Sequence, residues 1–280
     1  PSEGCNPGGL AALIRRQHLT NLVYPLVMKT PQLQALRVQL EKDYLIQIPK
    51  ITNQQLEMQK WLDAAEEKGL DCIPLKGFLL RQLYPSPLAR SMTDLDILIR
   101  DMDRADVRQW MESIGYQAEE TNELSHHDNF VKHPWMYMEL HFHLMKPRPG
   151  RDELEEKVWD HATPLPGRKH IYQMSPEDFY IFHLLHLHKH FTTQGVGLKG
   201  VIDIHFLLKA YGDRLDQNYL AQELTALEID HFAAYMEKRG NVELLLRSPE
   251  FDAEKVAAAG EELQAAEAAM NECVIVKDMR

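Results

Sequence analysis

Residues 73–100, IPLKGFLLRQLYPSPLARSMTDLDILIR, decide how the rest of this chain is read. The segment closes on an apolar strand, residues 93–100, entered by Asp94 and Asp96. Side chains alternate across a strand and rise about 3.3 Å per residue, so these two carboxylates project to one face, roughly 6–7 Å apart. Hard divalent cations such as Mg²⁺ take oxygen ligands, and one or two carboxylates together with the phosphates of a substrate form their usual seat. The pattern therefore predicts metal-dependent phosphoryl or nucleotidyl transfer. A D-x-D at a strand entry also occurs as a plain turn, and spacing alone leaves both readings open.

Just upstream, residues 70–75 read as a short apolar strand that runs into Lys76-Gly77 and a helix, FLLRQLY, stopped by Pro85. A strand that ends in Lys-Gly at a helix start offers backbone N–H groups and an ammonium to a phosphate. Gly77 would let a ligand approach the backbone closely, although an ordinary tight turn uses the same dipeptide. Arg90, four residues ahead of Asp94, either meets a phosphate or pairs with one of the acids.

Downstream, a helix over 102–114 closes at Gly115, a short strand follows over 116–119, and residues 126–132 and 137–144 bracket Pro134 as a hairpin. In the second hairpin strand Tyr137, Glu139, His141 and His143 share one face, and Met138, Leu140, Phe142 and Leu144 share the other. Two cations about 3.5–4 Å apart need more than two acids around them. Glu139 would join Asp94 and Asp96 if its strand lies beside theirs at about 4.8 Å; otherwise it is a solvated strand residue. His141 and His143, on the face of Glu139, are candidate proton acceptors or partners to it. His126, His127 and Asp128 form a further polar cluster to which the sequence assigns no role.

The wider arrangement is α+β: a small mixed β-sheet core flanked by helical regions. An N-terminal helical region spans 1–69, an α/β core 70–165 and a C-terminal helical region 166–280. Pro49 is expected to end one N-terminal helix, and Gly69 to cap the next. In the C-terminal region Ser175 caps a helix that starts at Pro176 and carries Glu177 and Asp178 in its first turn. That helix, PEDFYIFHLLHLHKHF, places His183, His186 and His190 at i, i+3 and i+7. His186 and His190 have the i, i+4 spacing of zinc ligands, with Asp203 or His205 as further donors. They lack the glutamate of a zincin helix, and histidines packed between helices are the structural alternative. The tract AAAGEELQAAEAAM near the C-terminus reads as a solvated helix.

The formal charge of −11, from 42 acidic against 31 basic residues, argues against sequence-independent attraction to nucleic acid or anionic membranes. A small molecule or a protein side chain is therefore favoured over nucleic acid as an acceptor. Cys5, Cys72 and Cys273 include no CxxC pair and read as free thiols of a reducing compartment. No run approaches about 18 consecutive apolar residues, and no basic stretch followed by an apolar core opens the sequence. The expectation is a cytoplasmic protein without a membrane partner.

The string LKGFLLRQLYPSPLARSMTDLDILI, followed by HHDNFVK, MYMELHFHL and HLLHLHKHFTTQGVGLKGVIDIHFLL, resembles the uncharacterised nucleotidyltransferase family of the DNA polymerase beta superfamily over roughly residues 10–210. Lys76-Gly77, Leu83-Tyr84-Pro85, Arg90 and the Asp94-Leu95-Asp96 strand occur in the family's order. The resemblance implies a mixed-sheet nucleotidyltransferase core with flanking helices. It also implies Mg²⁺-dependent transfer of a nucleoside monophosphate from an NTP to an acceptor hydroxyl. Asp94, Asp96 and Glu139 are then the catalytic carboxylates, holding two Mg²⁺ ions. Lys76, Gly77, Arg90, His186, Lys189 and His190 form the expected nucleotide-binding set, with Lys189 or His190 meeting the triphosphate and Lys199 and Asp203 orienting them. One departure stands out: the wider superfamily places Gly-Ser ahead of the acids, where this chain has Gly77-Phe78. Two rival classes remain, a catalytically inactive nucleotide-binding or protein-interaction module and a zinc hydrolase built on the histidine helix.

Overall fold

A computed structural model describes residues 6–119, 125–146, 151–193 and 197–240, so the Ala/Glu tract lies outside the described residues. Three helices open the chain: α1 (Pro7–Arg16), α2 (Thr20–Val27) and α3 (Gln34–Lys68). The centre runs β1 (Cys72–Pro74), α4 (Lys76–Leu83), β2 (Leu95–Ile99), α5 (Arg104–Ser113), β3 (Gln117–Ala118) and the hairpin β4 (His127–Lys132) and β5 (Met136–His141). Helix α6 (Arg151–His161) and the ribbon of β6 (Thr163–Pro164) and β7 (Tyr172–Gln173) lead to α7 (Pro176–Phe191), α8 (Leu198–Tyr211), α9 (Gln217–Ala226) and α10 (Asp230–Gly240).

The local signals do their expected work. Gly69 ends α3 in the left-handed region at φ 74°, where a side chain would be strained. Ser175 Oγ accepts the Asp178 N–H at 3.0 Å and starts α7. At Pro49 the outcome differs from the sequence expectation, because α3 runs through it. A proline in a helix loses one donor and crowds the carbonyl four residues back, here that of Leu45, an exposed position. Buried Leu36 and Leu40 before the proline, and Ile51, Met58, Trp61 and Leu62 after it, hold one helix at both ends. Tertiary packing thus outweighs a local breaker. Helix α6 is anchored by buried Leu154 and Val158 at i, i+4 spacing.

The five-stranded sheet has the order β1-β2-β5-β4-β3. Among its described strands β2 and β5 pair in parallel and the others antiparallel. On one face Leu95, Ile97, Ile99, Phe130, Met138 and Leu140 pack with Trp61 and Leu62 of α3 and Val107 and Met111 of α5. On the other, Ile73 and Leu98 pack with Tyr180, Ile181 and Leu184 of α7 and Ile204 and Leu207 of α8. These clusters cross both residue 69 and residue 165. A third cluster joins α1, α2 and the start of α3, with Leu198 and Ile202 of α8 against it. Because β2 is buried throughout, a one-residue slip would drive Asp96 into the α3/α5 core, and the apolar alternation fixes the register. Among the described residues no helix is long and apolar enough to cross a membrane.

Candidate functional site

The parallel register of β2 and β5 sets Asp96 opposite Glu139 and Leu98 opposite His141. The hairpin adds Asn129 opposite Glu139 and His127 opposite His141. The polar members of these pairs alternate with the residues of the α3/α5 core and so line the other face, the one that α7 and α8 cover. There Lys76 Nζ donates to Asp96 Oδ1 at 2.7 Å. His141 Nε2 lies 3.2 Å from the same oxygen and 3.3 Å from Glu139 Oε2. Ligand atoms of Asp96, Glu139 and His141 all fall within 4.8 Å of one another, a set able to hold a metal ion. Asp96 and His141 are buried, whereas the Glu139 side chain keeps 26% of its surface exposed, which leaves the site open on that side.

Asp94 precedes β2, has no register partner and lies outside that tight group. It still senses the site: burial, then the charges of Asp96 and Glu139, push its carboxyl above the usual carboxylate range. Asp96 goes the other way. Burial works against its charge, but Lys76 and His141 more than reverse that and hold it well below the usual range. His141 favours its proton despite complete burial, because Asp96 and Glu139 accept from it. Mutual repulsion of clustered acids therefore describes Asp94, while Asp96 is neutralised by protein cations.

The remaining candidates divide. Lys76 reaches the site from the start of α4 with a strained φ of 33°, but its ammonium is engaged by Asp96. The room beside Gly77 is taken by protein rather than left for a ligand: a Cβ there would come 2.6 Å from Met92 Sδ and 2.9 Å from Arg90 Nη1. Arg90 pairs with neither Asp94 nor Asp96, and its fork is committed elsewhere. Its Nε and Nη2 donate to Asp203 Oδ1 and Oδ2 at 2.7 and 2.8 Å, and the Tyr84 hydroxyl donates to Oδ1 at 2.7 Å. Asp203 therefore anchors α8 to the segment between α4 and β2 instead of orienting the histidines; its nearest approach to His183 Nε2 is 3.9 Å. A buried arginine demands a carboxylate, but no local pattern tells which one 113 residues away supplies it.

On α7 the Nε2 atoms of His186 and His190 lie 3.0 Å apart. Among the described residues no third His, Cys, Asp or Glu completes a metal set with them, so the zinc reading of this helix has no ligand shell. Burial, and next the Lys76 charge, hold His186 far below the usual imidazole range. Burial, Lys189 and Lys76 lower His190. Both histidines thus feel the Lys76 charge. Lys189 is exposed, and its charge reaches His126 as well.

His143 lies beyond the end of β5, 3.4 Å from Glu155 and more than half exposed. Asp128 parts from its two histidine neighbours: it points to the opposite face and accepts from Arg104 Nη1 at 2.7 Å and Arg108 Nε at 2.9 Å. His126 and His127 stay beside His141, a juxtaposition visible in sequence only as two histidines at the start of one hairpin strand.

A family model described as an uncharacterised nucleotidyltransferase matches residues 4–238. The chain belongs to this nucleotidyltransferase family. A search of curated proteins found no match. Among solved structures, this nucleotidyltransferase is similar to the antibiotic-resistance factor ANT(2'')-Ia at 11% identity, with 67% of this chain and 97% of that chain covered and a TM-score of 0.45. It is similar to the Megavirus polyadenylate synthase at 13% identity, covering 67% of this chain and 39% of that one, with a TM-score of 0.42. An antigenic nucleotidyltransferase-like protein from Paracoccidioides brasiliensis is 18% identical, over 71% of this chain and 92% of that one, with a TM-score of 0.41.

Proposed function

We propose that this nucleotidyltransferase moves a nucleoside monophosphate from an NTP to an acceptor hydroxyl at the face built by Asp94, Asp96 and Glu139, with Mg²⁺ as cofactor. The observation that carries the reading is the pairing of Asp96 with Glu139 across parallel β2 and β5, with Asp94 near enough for its carboxyl to be raised by both charges. Such a donor set, all carboxylate oxygen with one open side, fits hard divalent cations. When bound there, two Mg²⁺ ions supply positive charge against the triphosphate and the departing pyrophosphate.

The chain's own groups do the rest. Lys76, released from Asp96 once the acids are otherwise neutralised, is the ammonium that meets the phosphates, and His190 and Lys189 on α7 extend the positive surface. In the transfer the acceptor oxygen bonds to the α-phosphorus, the bond from that phosphorus to the bridging oxygen breaks, and pyrophosphate leaves. The hydroxyl proton goes to Glu139, which is more exposed than Asp96 and His141 and whose Oε2 is 3.3 Å from His141. The charge of −11 favours a small molecule or a protein side chain over nucleic acid as acceptor.

The test follows α-phosphate label from each of the four NTPs into a cell extract. Labelling is expected with wild type and Mg²⁺, and its collapse with Asp96→Asn or Glu139→Gln. Lys76→Ala should weaken NTP affinity by roughly 1.5–3 kcal/mol in calorimetry. Equal labelling by wild type and Asp96→Asn refutes the assignment. Absence of labelling with every NTP, alongside intact NTP binding, favours a catalytically inactive nucleotide-binding module.

A further inference from the structure

Nucleotide transfer makes no use of His126 and His127, which form a second cluster on the site face with His141. β4 and β5 set His127 against His141. The His126 carbonyl accepts the Phe142 N–H at 2.9 Å, which ties the start of β4 to the end of β5. Ring centroids are 4.6 Å apart for His126 and His127, 5.4 Å for His126 and His141, and 5.1 Å for His127 and His141. The three residues offer ligand nitrogens that all lie within 4.8 Å of one another. His126 and His141 are buried, at 8% and 3% exposure, and His127 opens the cluster toward solvent. All three rings leave Nδ1 buried with no hydrogen-bond partner. An orphaned polar atom costs about 1–3 kcal/mol, so three of them side by side on one sheet face require an explanation that packing does not provide.

We propose that His126, His127 and His141 bind one borderline divalent cation of the zinc class, at a site separate from the carboxylates that suit Mg²⁺. Neutral imidazoles are ligands for zinc, which takes three protein nitrogens and leaves a fourth position open, whereas Mg²⁺ is held by oxygen. Burial, and next the neighbouring rings, push His126 down to about 3, which favours the neutral ring with one nitrogen lone pair open to a metal. Zn–N bonds of about 2.0–2.1 Å place bound nitrogens about 3.4 Å from each other in a tetrahedron. Rotations of the side chains, centred on half-exposed His127, draw the rings in to that spacing. His141 also carries what such a ligand needs behind it: its Nε2 faces Asp96 and Glu139 at 3.2 and 3.3 Å, the carboxylate backing that fixes a histidine ligand and raises its basicity. The three imidazoles offer this site whether or not Asp94, Asp96 and Glu139 catalyse anything.

The experiment uses the full chain without an affinity tag, stripped with chelator and titrated with Zn²⁺ or Co²⁺ alone. One tight equivalent per chain is expected. Co²⁺ should give visible d–d absorption without a thiolate charge-transfer band, which separates this site from Cys5, Cys72 and Cys273. The double variant His126→Gln/His127→Gln should weaken that equivalent by about a hundredfold or more, with an unchanged circular dichroism spectrum. If the double variant fails to fold, His127→Gln alone, at the open edge of the cluster, gives the same comparison. The pair His186→Gln/His190→Gln should keep the equivalent. Wild-type affinity weaker than about 10 μM, a thiolate band, or loss of binding in the His186/His190 variant with retention in the His126/His127 variant overturns the proposal.

Discussion

Replacing Arg90 by alanine removes both arms of a buried fork and leaves Asp203, 2% exposed, with the Tyr84 hydroxyl as its remaining hydrogen-bond donor and the charges of His183 and Lys199 nearby. Breaking a buried ion pair from one side costs about 3–5 kcal/mol. The retained bond from Tyr84, of a kind that contributes about 1.5–3 kcal/mol when the acceptor is charged, places the expected loss near the lower end, about 3 kcal/mol. For a chain of this size that corresponds to a melting shift of about 6–12 °C. The pH dependence has a definite sign. Although burial opposes it, the Arg90 charge holds the folded carboxyl of Asp203 below the usual range, so its contribution is present above the unfolded carboxylate pKa of about 3.9 and lost as pH falls through the folded value. In the variant that cause is gone and burial raises the carboxyl. The gap between wild type and Arg90→Ala should therefore be full at neutral pH and narrow as pH falls through the variant's raised carboxyl value toward the lowered wild-type one. Urea unfolding from pH 3 to 7, with Asp203→Asn and the double variant completing a cycle, measures it. A variant within about 1 kcal/mol of wild type that binds NTP more weakly would return Arg90 to the phosphate and refute the structural role.

Three further outcomes follow from the same geometry. Asp94→Asn should leave chelator-treated protein as stable or more stable, since burial and two neighbouring charges disfavour its ionised form, whereas Asp96→Asn should destabilise by more than about 1 kcal/mol because Lys76 and His141 lose their partner; equal urea midpoints for the two contradict this. Arg81 is fully buried with Nε, Nη1 and Nη2 lacking hydrogen-bond partners, and burial and the Arg90 charge push its pKa down to about 10. Arg81→Met should raise stability by about 1–3 kcal/mol, and a loss in the thermal melt would reveal an unrecognised anionic partner. Gly77→Ala should cost about 1–3 kcal/mol through contact with Met92 and with an Arg90 that Asp203 prevents from yielding; an unchanged melting temperature would show that the neighbours give way.

Period-two alternation is local, and it sufficed to put Asp96 on the face opposite Leu95 and Ile97, and Glu139 opposite Met138 and Leu140. The end of α3 at Gly69 and the start of α7 at Ser175 were legible for the same reason: each depends on a few consecutive residues and their own backbone hydrogen bonds. Whether Glu139 meets Asp96 was not legible, because it depends on β2 and β5 lying side by side, and that choice is made by the helices packed on both faces. The same holds for Arg90, whose partner is 113 residues away, and for Lys76, whose charge is drawn to Asp96 only after α4 is folded against β2. Pro49 and Gly77 are the plainest cases. One is a breaker overruled by buried anchors along α3, the other a glycine whose missing side chain makes room for Arg90 and Met92. Residue type states what each group can do, but which surfaces meet is decided by the sum of packing over the whole chain, and only the tertiary structure carries out that sum.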